Sequence, residues 1–125
     1  MVDTVRPRRG DVAVSFSGGL DTTLAVVLLL EHFERVHLNV YDNGYCLRVT
    51  APEQRIEQLR ERFGAERILG RTVPVRGLLD RFLGPAYHRD LRRTGSPLIF
   101  DLCCRLSMEV ATLLYCLEHG ITHAV

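Results

Sequence analysis

Apolar residues along this chain fall into short continuous runs alternating with helical stripes, and the alternation predicts an α/β domain. Asp11 to Phe16 is apolar enough to be covered on both faces, as a central parallel strand is. Leu20 to Glu34 carries helical spacing, with Leu24, Val27, Leu28 and Leu30 directed at the sheet. Arg35 to Tyr41 is a second strand, ended by the turn residues Asp42, Asn43 and Gly44. Thr50 and Glu53 form a capping box for a helix that keeps Ile56, Leu59 and Phe63 on one face and stops at Gly64. Arg67 to Val75 holds a third strand and Gly77 to Leu83 a short helix. Gly84 to Pro97 reads as a punctuated connection, long enough in a compact domain to suggest function or movement. Leu98 to His119 is the last helix, with Leu102, Leu106, Val110, Leu113 or Leu114, and Leu117 at core spacing, and Ile121 to Val125 begins a fourth strand.

Right-handed crossovers place that fourth strand beside the first, giving a Rossmann-like parallel sheet of order 3-2-1-4 with helices on both faces. The chain stops on this strand, so a sheet of this order is expected to be incomplete at its C-terminal end. Residues 1–10, with Arg6, Arg8 and Arg9, read as a flexible arm, and residues 11–125 as the domain.

Composition narrows the function classes. At 125 residues, 46% hydrophobic and 25% charged, the chain suits one soluble globular domain. Its net charge of +1 gives no bulk electrostatic case for nucleic-acid binding, although every one of the 16 basic residues is arginine, which suits forked contacts to phosphate or carboxylate. The apolar run Leu24 to Leu30 is too short to span a bilayer, and no signal-peptide core follows the charged start, so a cytoplasmic location with no membrane partner is expected. The four cysteines are then expected as reduced thiols.

Between the first strand and first helix stands Ser15-Phe16-Ser17-Gly18-Gly19-Leu20-Asp21-Thr22-Thr23. Two glycines let backbone approach a phosphate, the first helical N–H groups are unpaired, and Thr22 and Thr23 add hydroxyls. Asp21 beside a phosphate would be repelled unless a cation lay between them, which points to Mg²⁺. A Walker loop would need a lysine, of which the chain has none, and a dinucleotide-binding loop a third glycine at the helix.

Ser17-Gly18-Gly19-Leu20-Asp21-Thr22 resembles the SGGxD[ST] signature of the PP-loop ATP pyrophosphatases, which include argininosuccinate, GMP and asparagine synthetases and tRNA-thiolating enzymes. The resemblance implies an adenine nucleotide alpha hydrolase-like fold and cleavage of ATP between its α- and β-phosphates. It implies pyrophosphate bound on the loop and AMP passed to a carbonyl or carboxyl oxygen. Ser15, Phe16, Ser17, Gly18, Gly19, Asp21, Thr22 and Thr23 would then bind ATP, with Asp21 also holding Mg²⁺. Val40 and Tyr41, at the end of the second strand, are carried over as adenine contacts. In this family another nucleotide-contacting loop usually follows the fourth strand, so the resemblance implies a nucleotide domain whose completing part is missing or is supplied by another chain.

Leu102-Cys103-Cys104-Arg105 is the second place for chemistry, since a helix start and an arginine both favour a thiolate. The segment is similar to that of sulfur-transferring members of the family, in which Cys-x-x-Cys and a basic residue precede a helix. Cys104 and Arg105 match, while Asp101 replaces the first cysteine, which argues against an iron–sulfur or zinc site. Cys46 follows the turn after the second strand and could face Cys104 across the nucleotide, one thiol carrying a persulfide and the other resolving it. His88, Arg92, Arg93 and Arg105 are the candidates for binding the acceptor, either a tRNA or a small carbonyl or carboxyl compound. A sulfur-donor protein and a homo-oligomer are the further partners expected. The alternatives are an amide or C–N ligase of the same family and a nucleotide-binding or assembly module without turnover.

Overall fold

A computed structural model of the chain describes residues 9–45 and 51–125. Cys46, the capping-box Thr50 and residues 1–8 of the arm lie outside the described residues. In chain order the elements are β1 (Arg9–Ser15), α1 (Leu20–His32), β2 (Phe33–Asp42), α2 (Ala51–Phe63), β3 (Ile68–Pro74), α3 (Arg76–Leu83), α4 (Tyr87–Thr94) and α5 (Leu98–His119). Arg9 and Gly10, expected in the arm, begin β1.

The three strands form a parallel sheet of order β1-β2-β3, with Val12 opposite Val36 and Leu38 opposite Gly70. The expected order 3-2-1-4 is corrected, because the fourth strand does not form. Gly120 ends α5 in a left-handed turn, and the Ile121 N–H bonds back to the Cys116 carbonyl at 2.9 Å, with the Ile121 side chain buried. The chain reaches β1 only afterwards, and Ala124 alone bridges Ala13, through bonds of 2.9–3.0 Å that link residues 123 and 125 to Ala13 and Ser15.

Strand alternation sorts the sheet into two unlike faces. Val12, Val14, Val36, Leu38 and Ile68 point one way and pack with Val26 and Leu30 of α1 and Ile56 and Leu59 of α2. The other face presents Asp11, Ala13, His37, Asn39 and Tyr41 of β1 and β2, and it is covered by α5 through Tyr115 and Thr112. Helices therefore lie on both faces, as expected.

The helices are turned differently from the pattern predicted. On α1 the buried residues are Val26 and Leu30, whereas Leu24 and Leu28 are exposed. The run Leu24 to Leu30 is apolar on all sides, so periodicity alone does not choose its inward face. On α5 the correction is larger. Leu102, Leu106, Leu113, Leu114 and Leu117 are exposed, and Ser107, Thr112, Tyr115 and Cys116 are buried. The reason is the sheet beneath, whose polar groups need polar partners once water is excluded.

That polar layer is well connected. The His37 Nε2 lies 2.9 Å from an Asp11 carboxylate oxygen and the Nδ1 lies 2.7 Å from the Tyr115 hydroxyl. Arg35 grips the same carboxylate with two bonds of 2.8 and 2.9 Å, and the Tyr41 hydroxyl meets that of Thr112. Burial raises the Asp11 carboxyl, but the hydrogen bonds and charges of Arg35 and His37 outweigh it and hold the group below its ordinary value. Asn39 is fully buried between them. Neither of its amide atoms makes a hydrogen bond of good geometry, and burial pushes the neighbouring Tyr41 hydroxyl above its ordinary value against the opposing pull of Thr112 and Asn39.

Two further details frame the site. The Arg67 guanidinium donates to the carbonyls of Leu30, Phe33 and Glu34 at 2.6–3.1 Å, closing the end of α1 against β3. The Gly84 to Pro97 connection contains α4, which is bracketed by Gly84 and Gly95, both at positive φ. Among the described residues no helix is long and apolar enough to cross a membrane.

Candidate functional site

Parallel strands end on one side of the sheet, and the loops that follow them converge there. A cleft of about 980 Å³ opens at that side. Ser15, Phe16 and Ser17 come from the end of β1 and the loop after it, Thr22 from the first turn of α1, and Val40, Tyr41, Asp42, Asn43 and Gly44 from the end of β2 and the turn after it. Pro52 and Glu53 of α2 and Thr72 of β3 complete the near wall, while Asp101, Cys104, Arg105, Met108 and Glu109 of α5 form the opposite one. The volume falls within the range of small-molecule sites, roughly 300–1,000 Å³.

The glycine loop is shaped by close approach. Gly18 has φ +78°, and a Cβ placed on it would come within 2.7 Å of the Pro52 Cα. Only glycine fits there, so the first turn of α2 presses directly on the loop. The loop's polar groups satisfy one another. The Ser17 hydroxyl lies 3.2 Å from that of Thr22 and accepts the Gly19 N–H at 3.3 Å. Thr22 and Thr23 donate to the Gly19 carbonyl at 3.3 and 2.7 Å. Gly19 is the α1 N-cap and supplies no side-chain cap, so the helix start points backbone N–H groups outward.

Of the expected nucleotide contacts, Ser15, Phe16, Ser17, Thr22, Val40 and Tyr41 line the cleft. Gly18, Gly19 and Thr23 lie outside the lining, Gly18 against Pro52 and Thr23 bonded to the Gly19 carbonyl. Asp21 is exposed in the first turn of α1, outside the lining, with no hydrogen bond or ion pair to another described residue. No three His, Cys, Asp or Glu side chains cluster as a metal site among the described residues.

On the far wall, the Asn43 amide points its Nδ2 at the Cys104 Sγ, 3.8 Å away. Cys104 lies in the second turn of α5, past the first turn in which a helix end exerts most of its field, so the helix-start argument for it weakens. Arg105 pairs with Asp101 at 3.3 Å. Cys103 stays outside the lining, and burial pushes the Cys116 thiol up, as suits a core residue. His88, Arg92 and Arg93 sit on α4, exposed and away from the cleft.

No family model, curated protein or solved structure matches the chain. What the cleft can do is therefore argued from its own residues.

The cleft contains groups that motif reading passed over: Asp42, Asn43, Glu53, Asp101, Met108 and Glu109. Asp42 and Asn43 had a legible signal, because turn residues directly after a parallel strand stand at the ligand-binding side. Their side chains accept the N–H groups of Gly44 and Tyr45 at 2.9 and 3.0 Å, which fixes the turn. The Arg76 guanidinium stacks on the Tyr45 ring at 4.0 Å and pairs with Asp80, anchoring the turn to α3. Asp42, Glu53, Asp101 and Glu109 give the lining four carboxylates against the single guanidinium of Arg105. A polyphosphate enters such a lining only with a divalent cation to neutralise it.

Proposed function

We propose that the chain binds Mg·ATP at the Ser17 to Thr23 loop, transfers AMP to a carbonyl or carboxyl oxygen of an acceptor, and replaces that AMP with sulfur. The observation that carries this reading is the shared cleft: Ser15, Phe16, Ser17 and Thr22 stand on one wall and Cys104 and Arg105 on the other. The SGGxD[ST] resemblance supports the same chemistry.

In this reading the hydroxyls of Ser17, Thr22 and Thr23 exchange their contacts within the loop for contacts to phosphate oxygens, and the α1 N–H groups aim at the same charge. The strand ends at Val40 and Tyr41 receive the adenine. Asp21 is the residue that would hold Mg²⁺, which neutralises the leaving pyrophosphate, and its freedom from other described partners suits that role. The acceptor oxygen attacks the α-phosphorus and pyrophosphate departs. The outer sulfur of a persulfide on Cys104, loaded there by a sulfane-sulfur donor protein, then attacks the activated carbon and AMP leaves with the oxygen. A second thiol attacks the Cys104 sulfur of the resulting disulfide, which releases the thiolated product and leaves a protein disulfide that an external thiol reduces. Asn43 positions the Cys104 sulfur, and Cys46, outside the described residues, is the proposed resolving thiol. An acceptor as large as tRNA would also meet the exposed His88, Arg92 and Arg93 of α4.

Product analysis of labelled ATP with Mg²⁺ tests the reading, with tRNA plus a persulfide donor and a reducing thiol in one reaction and small carboxylates plus ammonium in another. We expect AMP and pyrophosphate, reduced at least about a hundredfold by Asp21→Asn, with sulfur transfer lost in Cys104→Ser. Turnover that survives Cys104→Ser and responds to ammonium would assign the site to C–N ligation instead. ADP and phosphate as products would remove the pyrophosphatase reading, and ATP binding without turnover would leave a nucleotide-binding module.

A further inference from the structure

The outer face of α5 carries a leucine stripe that no other described residue covers. Leu98, Leu102, Leu106, Leu113 and Leu117 are 47–71% exposed, whereas the opposite face of the helix is buried on the sheet. Leu98 and Glu109, Leu102 and Leu113, and Leu106 and Leu117 are each eleven residues apart. Three helical turns take about 10.8 residues, so the stripe keeps to one face for the full helix, about 33 Å. Contiguous apolar surface of this kind marks an interaction site.

We propose that a second copy of this chain occupies the stripe, with the two α5 helices antiparallel about a two-fold axis. The spacing is self-complementary. About a point between Ser107 and Met108, Leu98 is the mirror position of Leu117 and Leu102 that of Leu113. In an antiparallel pair those leucines meet across the axis, as an isologous contact requires. The remaining mirror pair is Leu106 with Glu109, and the charge there has a partner. Arg105 and Glu109 lie on the same margin of the stripe, and a two-fold axis of this kind brings each margin against itself. Arg105 of each subunit then faces Glu109 of the partner subunit, twice by symmetry. In a parallel pairing the two-fold axis runs along the helices and sets each margin against the opposite one, which leaves Arg105 and Glu109 apart, so the charge contact forms only in the antiparallel arrangement.

One structural consequence concerns the cleft. Arg105 and Glu109 also line it, so the interface ends at the cleft mouth, with Arg105 held by Asp101 of its own helix and by Glu109 of the partner subunit. The proposal does not depend on what the cleft binds.

Sedimentation velocity over a wide concentration range tests it, with circular dichroism to confirm folding. The chain should sediment as a dimer, and Leu113→Arg should give a folded monomer. Arg105→Glu and Glu109→Arg should each weaken association roughly tenfold, and the double exchange should restore it. Should Leu113→Arg fail to fold, the charge-exchange series reads the same interface from exposed positions. A wild-type monomer would overturn the proposal and give the stripe to a different occupant. A dimer indifferent to both Leu113→Arg and the charge exchanges would overturn it too, by placing the interface elsewhere.

Discussion

The two faces of the sheet solve the same burial problem by opposite means. Beneath α1 and α2 the contacts are between aliphatic side chains, Val12, Val14, Val36, Leu38 and Ile68 against Val26, Leu30, Ile56 and Leu59. Such contacts are non-directional, and their strength follows the area removed from water. Beneath α5 the contacts are directional: Asp11 to His37, His37 to Tyr115, Tyr41 to Thr112. A buried hydrogen bond adds little net stability, but leaving one of its groups unpaired is expensive. The first face therefore supplies most of the stability, and the second fixes where α5, and with it the far wall of the cleft, must sit.

The aliphatic face gives the largest test of that division. Leu38 is fully buried at the centre of the sheet, so Leu38→Ala should cost about 2–5 kcal/mol of unfolding free energy in denaturant titration. The polar face should respond less in energy and more in position. Tyr115→Phe keeps the ring but strips His37 of its Nδ1 partner, a cost of about 1–3 kcal/mol. A fluorescent or spin label on Cys104 should report that α5 has shifted, a change that Leu38→Ala should not produce. Equal movement of α5 in both variants would end the distinction.

The smallest effect is a dependence on pH. Asp11 titrates below its ordinary value in the folded chain because Arg35 and His37 stabilise its charge against burial. Its contribution to stability is therefore complete above the unfolded-state value, about 4, and is lost as pH falls through the lower folded value. Asp11→Asn should flatten the acid limb of a stability–pH curve while leaving the alkaline side unaltered. An unchanged acid limb would show that the Arg35–Asp11–His37 group does not set it.

The same division governs how much could be read from sequence. The first strand announces itself as an unbroken apolar run, Val12 to Val14, the second by Val36, Leu38 and Val40 alternating with His37 and Asn39, and the glycine loop by residue types that few other structures need. Helix orientation was not legible. On α1 an apolar segment offers no unique inward side, and on α5 the leucines draw attention from Ser107, Thr112 and Tyr115, whose burial makes sense only once His37 and Tyr41 are known to lie beneath. The short α4 was hidden because glycine and proline at its ends resemble the punctuation of a loop. In the cleft, Ser17, Thr22 and Cys104 were legible as chemistry, whereas Glu53, Asp101 and Glu109 looked like ordinary helix-surface charges. Their meeting depends on two helices from distant parts of the chain, which local pattern does not encode.

The His37–Tyr115 hydrogen bond has a consequence in chain entropy. It closes a loop of 78 residues, whereas the Asp11–Arg35 contact between neighbouring strands closes one of 24. By the logarithmic law for loop closure, the longer span costs about 1 kcal/mol more to form. On loop-closure entropy alone, the β1–α1–β2 unit therefore closes more readily than α5 docks onto it.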